Sequence, residues 1–306
     1  MTWTKLGLIF QPTGQLPWAR SHAAVPVCLP LDDRHVALIY SARDGDNRSR
    51  PGRCVVDMVS LKVIESDDRP LLELGPPGTF DDCGVMPSWA IPDGDGYRLY
   101  YIGWNLAVTV PFQNAIGLAV IDRRCRHMMR RFAGPIVARS VRDPYFVASC
   151  AVLPQGSGWR MWYLSCLGWD QRGDRLTHRY HIKTMTSVDG IECPGKATTA
   201  IDFASPDEYA ISRPSVLVDN SVYHMWYSVR GARYGIGYAQ SRDGLVWERH
   251  DQLAGIKVSE TGWDSEMICY PHVFRMGDKI YMAYNGNGYG QTGVGLAVLD
   301  SGLPTL

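Results

Sequence analysis

The stretch His224–Met225–Trp226–Tyr227, followed by Ile236–Gly237–Tyr238–Ala239, then Asp243–Gly244 and Val246–Trp247–Glu248, decides the fold. It reads as an aromatic strand, a second strand, a hairpin-turn dipeptide and a third strand. A short apolar run, Pro214–Val218, precedes it, so the unit holds four strands. The aromatic strand end recurs at Ala37–Tyr40, Arg98–Tyr101, Arg160–Tyr163 and Ile280–Tyr284, and each copy has its own apolar run before it. Ile116–Ala119, His181–Thr184 and Val294–Ala297 repeat the Ile236–Ala239 strand, and Asp189–Gly190 repeats the turn. Copies start about 60 residues apart, nearer to a propeller blade with long loops than to a solenoid repeat.

Five units of four strands predict an all-β, five-bladed β-propeller, which leaves only short, protected sheet edges. The last unit stops at Leu296–Val298 without a fourth strand, while Trp3–Phe10 is an unassigned β-like run. The N-terminal strand is therefore expected to complete the last blade and close the ring. A pair of β-sandwiches would not call for five regular units. Because the repeats leave no linker, residues 1–306 are read as a single domain.

Composition agrees. The 10 Trp and 16 Tyr favour strands, and 31 Gly and 19 Pro supply turns. A formal net charge of zero argues against general binding to nucleic acid or anionic membranes. No run reaches the roughly 20 apolar residues of a membrane span. Met1–Lys5 does not open a signal peptide. The 8 scattered cysteines form no CxxC pair, so reduced thiols in a cytoplasmic protein are the expectation. The basic run Arg123–Arg131 falls between the third and fourth strands of blade two and reads as a solvated surface or subunit contact.

The start of each first strand and the end of each second strand share one face of a propeller. Before the first strands stand His22, Asp82, Arg142 with Asp143, Glu208 with Arg213, and Asp264 with Glu266 and Tyr270. A single loop acid is commonly a turn residue or cap. Acids at equivalent places in four units point instead to a shared funnel. After the second strands come Arg43, Trp104–Asn105, Trp169, Arg230 and Asn285. Indole faces stack on sugar C–H faces, and Asn, Arg and Asp pair with hydroxyls. Trp162 and Trp226, inside their strands, read as fillers between blades. Clustered carboxyls permit glycosidic cleavage, one protonating the leaving oxygen while another activates water or attacks carbon.

The chain resembles the five-bladed propeller glycoside hydrolases, the group holding families 43, 32, 68 and 130, over nearly its full length. Arg142–Asp143–Pro144 is similar to the motif of the fructan-cleaving family. Ile236–Gly244 is similar to a structural segment of these propellers, and Leu38–Tyr40 leading to Arg43 resembles blade one of family 130. The resemblance implies a transition-state or tuning role for Asp143 and a general-acid role for Glu208. The base that families 43 and 32 carry on blade one is absent from Ser21–Pro26, which leaves Asp82 or Glu266 for it. A phosphorylase, an enzyme of sugar phosphates or nucleotide sugars, and a non-catalytic sugar-binding propeller are the alternatives. Arg43, Arg142, Arg213 and Arg230 either pair with the acids or recognise a negative group on the substrate. The expected partner is a small carbohydrate or glycoconjugate. No cofactor or metal motif is present, and His272 reads as a core histidine.

Overall fold

The structure, a computed structural model, describes residues 1–305, with Arg172 through its backbone alone. After β1 (Trp3–Phe10) the chain makes successive antiparallel groups. The first holds β2 (Ser21–Pro30), β3 (His35–Arg43), β4 (Ser49–Asp57) and β5 (Lys62–Ser66). The second holds β6 (Gly84–Asp93), β7 (Gly96–Leu106), β8 (Phe112–Asp122) and β9 (Met128–Arg130). The third holds β10 (Val147–Gln155), β11 (Gly158–Arg172), β12 (Arg175–Ser187) and β13 (Thr198–Ile201). The fourth holds β14 (Ala210–Asp219), β15 (Val222–Arg230), β16 (Tyr234–Ser241) and β17 (Glu248–Arg249). The last holds β18 (Cys269–Met276), β19 (Lys279–Asn285) and β20 (Val294–Leu299), and its fourth strand is β1, which pairs with β20 from Trp3↔Leu299 to Phe10↔Val294. The expected N-terminal closure of the last group is thus present. First strands pack in a circuit: β2 on β6, β6 on β10, β10 on β14, β14 on β18, and β18 back on β2.

Period-two alternation explains the neighbouring aromatic pairs Tyr100–Tyr101, Trp162–Tyr163 and Trp226–Tyr227 of β7, β11 and β15, because neighbouring side chains face opposite sides of the sheet. One ring turns toward the next group. Tyr100 Oη donates to Gly190 O (2.8 Å), Trp162 Nε1 donates to Gly244 O (2.9 Å), and Trp226 meets Trp3 of β1 edge-on with centroids 5.7 Å apart. Trp162 and Trp226 therefore fill gaps between groups, and the Asp–Gly turns serve as acceptors for that contact. Asp189 and Asp243 hold those turns by accepting from the backbone N–H groups two and three residues on.

The other ring turns the opposite way and meets an aspartate. Tyr101 donates to Asp81, Tyr163 to Asp143, Tyr284 to Asp264 and Tyr227 to Asp251. Each acid is also paired with a cation: Arg130, Lys183, Lys5 and Arg249 respectively. The ring lies over the neighbouring third strand, which explains the glycine of the Ile–Gly–Leu/Tyr–Ala repeat. A Cβ on Gly117 would stand 2.3 Å from Tyr101 Cζ.

All eight cysteines are free thiols. The basic run lies on the β8–β9 connection as expected, where Arg126 pairs with Glu65. No helix among the described residues is long and apolar enough to cross a membrane.

Candidate functional site

A cavity of about 720 Å³ is lined by residues from every group. Its shape begins with irregularities in the first strands. Register shifts interrupt β2, β14 and β18 at Val25–Pro26, Arg213–Pro214 and Tyr270–Pro271. Val25, Arg213 and Tyr270 take positive φ of 47°, 55° and 55°. Such bulges re-aim side chains, and proline fits there because no ladder N–H is lost. All three residues line the cavity. Their N–H groups are satisfied by Asn285 Oδ1 (2.8 Å), Ser149 Oγ (3.0 Å) and Ser228 Oγ (2.7 Å).

Second-strand ends supply Arg43, Trp104 and Arg230, each three residues beyond the aspartate-facing or equivalent tyrosine of its group. Trp104 Nε1 donates to Ser49 Oγ (2.7 Å). Gly84 makes that approach possible, since a Cβ there would stand 1.7 Å from the indole nitrogen.

Third-strand starts complete the wall with Phe112, Asn114, His178, Tyr180 and Tyr234. The Tyr180 and Tyr234 hydroxyls are 2.6 Å apart. His178 stacks on Tyr180 with centroids 4.7 Å apart, and burial, helped by the charge of Arg230, lowers its pKa to about 4. His22 sits beside the cavity residue Arg43, and burial with that neighbouring charge likewise holds it at about 4.

Of the binding residues expected from sequence, Arg43, Trp104, Arg213, Arg230 and Tyr270 line the cavity. Trp169 lies one layer back, packed on the lining residues Phe112, Phe146 and His178. Asn105 lies in the β7–β8 ladder opposite Gln113. Asn285 is wholly buried and bonds to Ala23 O and Gly293 O. Asp264 is held by Lys5, Ser259 and Tyr284. Arg142 donates to the carbonyls of Cys193, Pro194 and Gly195. None of Trp169, Asn105, Asn285, Asp264, Arg142 and His22 is in the lining.

The four acids expected to be catalytic are not brought together in the cavity wall. Asp143 is buried under Tyr163, Ser165 (2.6 Å) and Lys183 (3.0 Å). Glu208 pairs with Arg249 and faces a separate depression shared with Asp170 and Arg179. Glu266 is exposed, its backbone N–H bonded to Asn287 Oδ1. Asp82 accepts from Gly78 N–H (2.8 Å) through one oxygen, while the other is buried without a partner. Its chain neighbour Cys83 lines the cavity.

His178, Tyr180 and Tyr234 were missed because attention to first-strand starts and second-strand ends left out third-strand starts. A hairpin puts the start of its third strand on the same face as the end of its second. No group of three or more His, Cys, Asp or Glu among the described residues is placed to hold a metal ion.

No protein-family model matches the chain. It is 43% identical over 302 residues to Uncharacterized protein Rv1502 of Mycobacterium tuberculosis strain H37Rv, covering 98% of this chain and 100% of that one. The chain belongs to the Rv1502 family. Uncharacterized protein MT1551 of strain CDC 1551 matches to the same extent. Among solved structures, a glycosyl hydrolase from Bacteroides ovatus aligns with a TM-score of 0.72 at 14% identity, over 97% of this chain and 92% of that one. A thermostable family-43 glycoside hydrolase aligns at 0.66 and 14% identity, over 94% and 91%. A family-130 structure, from a family of mannoside phosphorylases that contains glycoside hydrolases acting on β-1,2 mannosidic linkages, aligns at 0.68 and 15%, over 100% and 96%. This member of the Rv1502 family has the fold of the propeller glycoside hydrolases.

Proposed function

We propose that the chain is a five-bladed β-propeller enzyme that cleaves a glycosidic bond, with its sugar in the axial cavity. The observation that carries this reading is the cavity itself. It lies where first strands from all groups converge, and tyrosine, tryptophan and phenylalanine faces are interleaved with hydrogen-bonding groups. Aromatic walls with a few placed polar groups suit a pyranose or furanose.

Asp82 is the acid of choice for proton transfer. Of the four acids expected from sequence, it alone is the chain neighbour of a lining residue, Cys83, and one of its carboxylate oxygens is buried without a hydrogen-bond partner. Asp46, the one carboxylate in the lining itself, is the second carboxyl of the pair that such chemistry uses. Asp143 and Glu208 then act as structural acids.

The test is turnover on aryl glycosides and oligosaccharides, run with and without phosphate. The reading expects phosphate-independent cleavage that falls by about 100-fold or more in Asp82→Asn and survives in Glu208→Gln. Binding of sugars without turnover of any would remove the catalytic part. Loss of activity in Glu208→Gln alone would move the acid to the Arg249 pair.

A further inference from the structure

We propose that the axial cavity holds an anion subsite formed by Arg43, Arg213 and Arg230, and that the sugar it takes carries its own carboxylate or phosphate group. This rests on the cavity being the sugar site. The lining contains these three arginines and Arg48, against the single carboxylate of Asp46. Asp46 is already paired with Arg48 at 3.0 Å, and Arg48 also reaches Asp44. No carboxylate among the described residues pairs with Arg43, Arg213 or Arg230.

The three differ in how they are held. Arg213 is 1% exposed, and its terminal nitrogens donate to the backbone carbonyls of Ser88 and Pro26. Its Nε is buried without a partner. Burial lowers its pKa to about 10, which leaves it charged at neutral pH. A buried charge without a counter-ion is costly, so an anion beside it is strongly favoured. Arg230 lies over the rings of Tyr209, Tyr234 and Tyr289, at 5.2, 5.2 and 5.9 Å from their centroids. Those rings fix the guanidinium without neutralising it. The Arg43 guanidinium makes no hydrogen bond or ion pair among the described residues. A planar fork so placed suits bidentate recognition of an oxyanion.

The aromatic neighbours argue that the anion is borne by the sugar. Tyr270 lies within the electrostatic reach of both Arg43 and Arg213, and Tyr289 within that of Arg43 and Arg230. Tyr270 and Tyr289 stack on each other with centroids 6.5 Å apart. A ring pair close to all three cations fits a flat, partly apolar body that carries an acidic substituent.

Calorimetric titration of the full chain tests this with glucuronate, galacturonate, glucose 1-phosphate and glucose 6-phosphate. Glucose, galactose and inorganic phosphate are the comparators. At least one sugar anion should bind about tenfold or more tightly than its neutral parent and than inorganic phosphate, and rising salt should weaken it. Arg43→Gln and Arg230→Gln should each weaken the sugar anion about tenfold or more beyond any loss for its neutral parent. Both avoid the deeply buried Arg213, and melting curves confirm that they fold. Equal affinity for every anion and its neutral parent, or inorganic phosphate binding as tightly as any sugar anion, overturns the proposal. Cleavage of neutral glycosides with no anion preference would sink the subsite and keep the glycosidase. Anion preference with no cleavage of any glycoside would do the reverse.

Discussion

At the residue scale, three of the acids that stand before first strands each hold a tyrosine hydroxyl and a cation. Asp81, Asp143 and Asp264 each stand 20 residues before the tyrosine that donates to them, and each holds a cation. Asp143→Asn leaves Lys183 without its counter-charge and should lower stability by about 3 kcal/mol, read by urea denaturation. Activity measured well below the melting point should persist. A stable Asn variant without turnover would return Asp143 to the chemistry. Gly117→Ala should cost about 2 kcal/mol by forcing the Tyr101 ring aside, and the same denaturation measurement reads it. The acids are plain in the sequence, where their equivalence suggests convergence on one funnel. Repetition in four units is equally what a shared structural need produces, and the tyrosine partners lie in the very block that reveals the repeat. Arg43, Trp104 and Arg230 were legible because they follow their tyrosines at constant spacing. The aim of Arg213 into the cavity depends on a bulge that residue order alone does not disclose.

At the element scale, the repeat made nearly every strand legible, because each unit must bury large apolar or aromatic side chains on both faces of its second strand. The long hairpin β11–β12 was less so. It extends past Trp169 and contributes His178 and Tyr180 through a third strand lacking the Ile–Gly motif. Lys183 takes the place of that glycine and reaches Asp143 itself. β1 is the element whose removal is most informative. It pairs with β20 and brings Trp3 onto Trp226, and Lys5 onto Asp264. Deleting residues 1–10 strips the last group of its outer strand, a ring contact and a buried ion pair together. The melting temperature should fall by more than about 10 °C, read by circular dichroism. An unchanged melting temperature would mean that the ring does not depend on its joint.

At the scale of the whole molecule, buried histidines set a response to acid. Burial holds His22, His178 and His224 at about 4, and His272, which accepts from Cys28 N–H, well below the ordinary 6.5. The unfolded chain takes up these protons first, so stability falls as pH drops from about 6.5 toward about 4. It changes little from these groups above 7. Melting temperatures across that range should trace the decline, and a flat profile between 6.5 and 4.5 would contradict it. The joint of β1 with β20 has a consequence for synthesis. Trp3–Phe10 leaves the ribosome before every other strand of the fold, and its partner Val294–Leu299 emerges after them. A bare strand edge must therefore wait through the synthesis of β2 to β19, open to pairing with a neighbouring nascent copy. A circular permutant that joins the old ends and begins in the 67–83 connection would make both strands of the joint consecutively, and it should yield less aggregate during rapid expression.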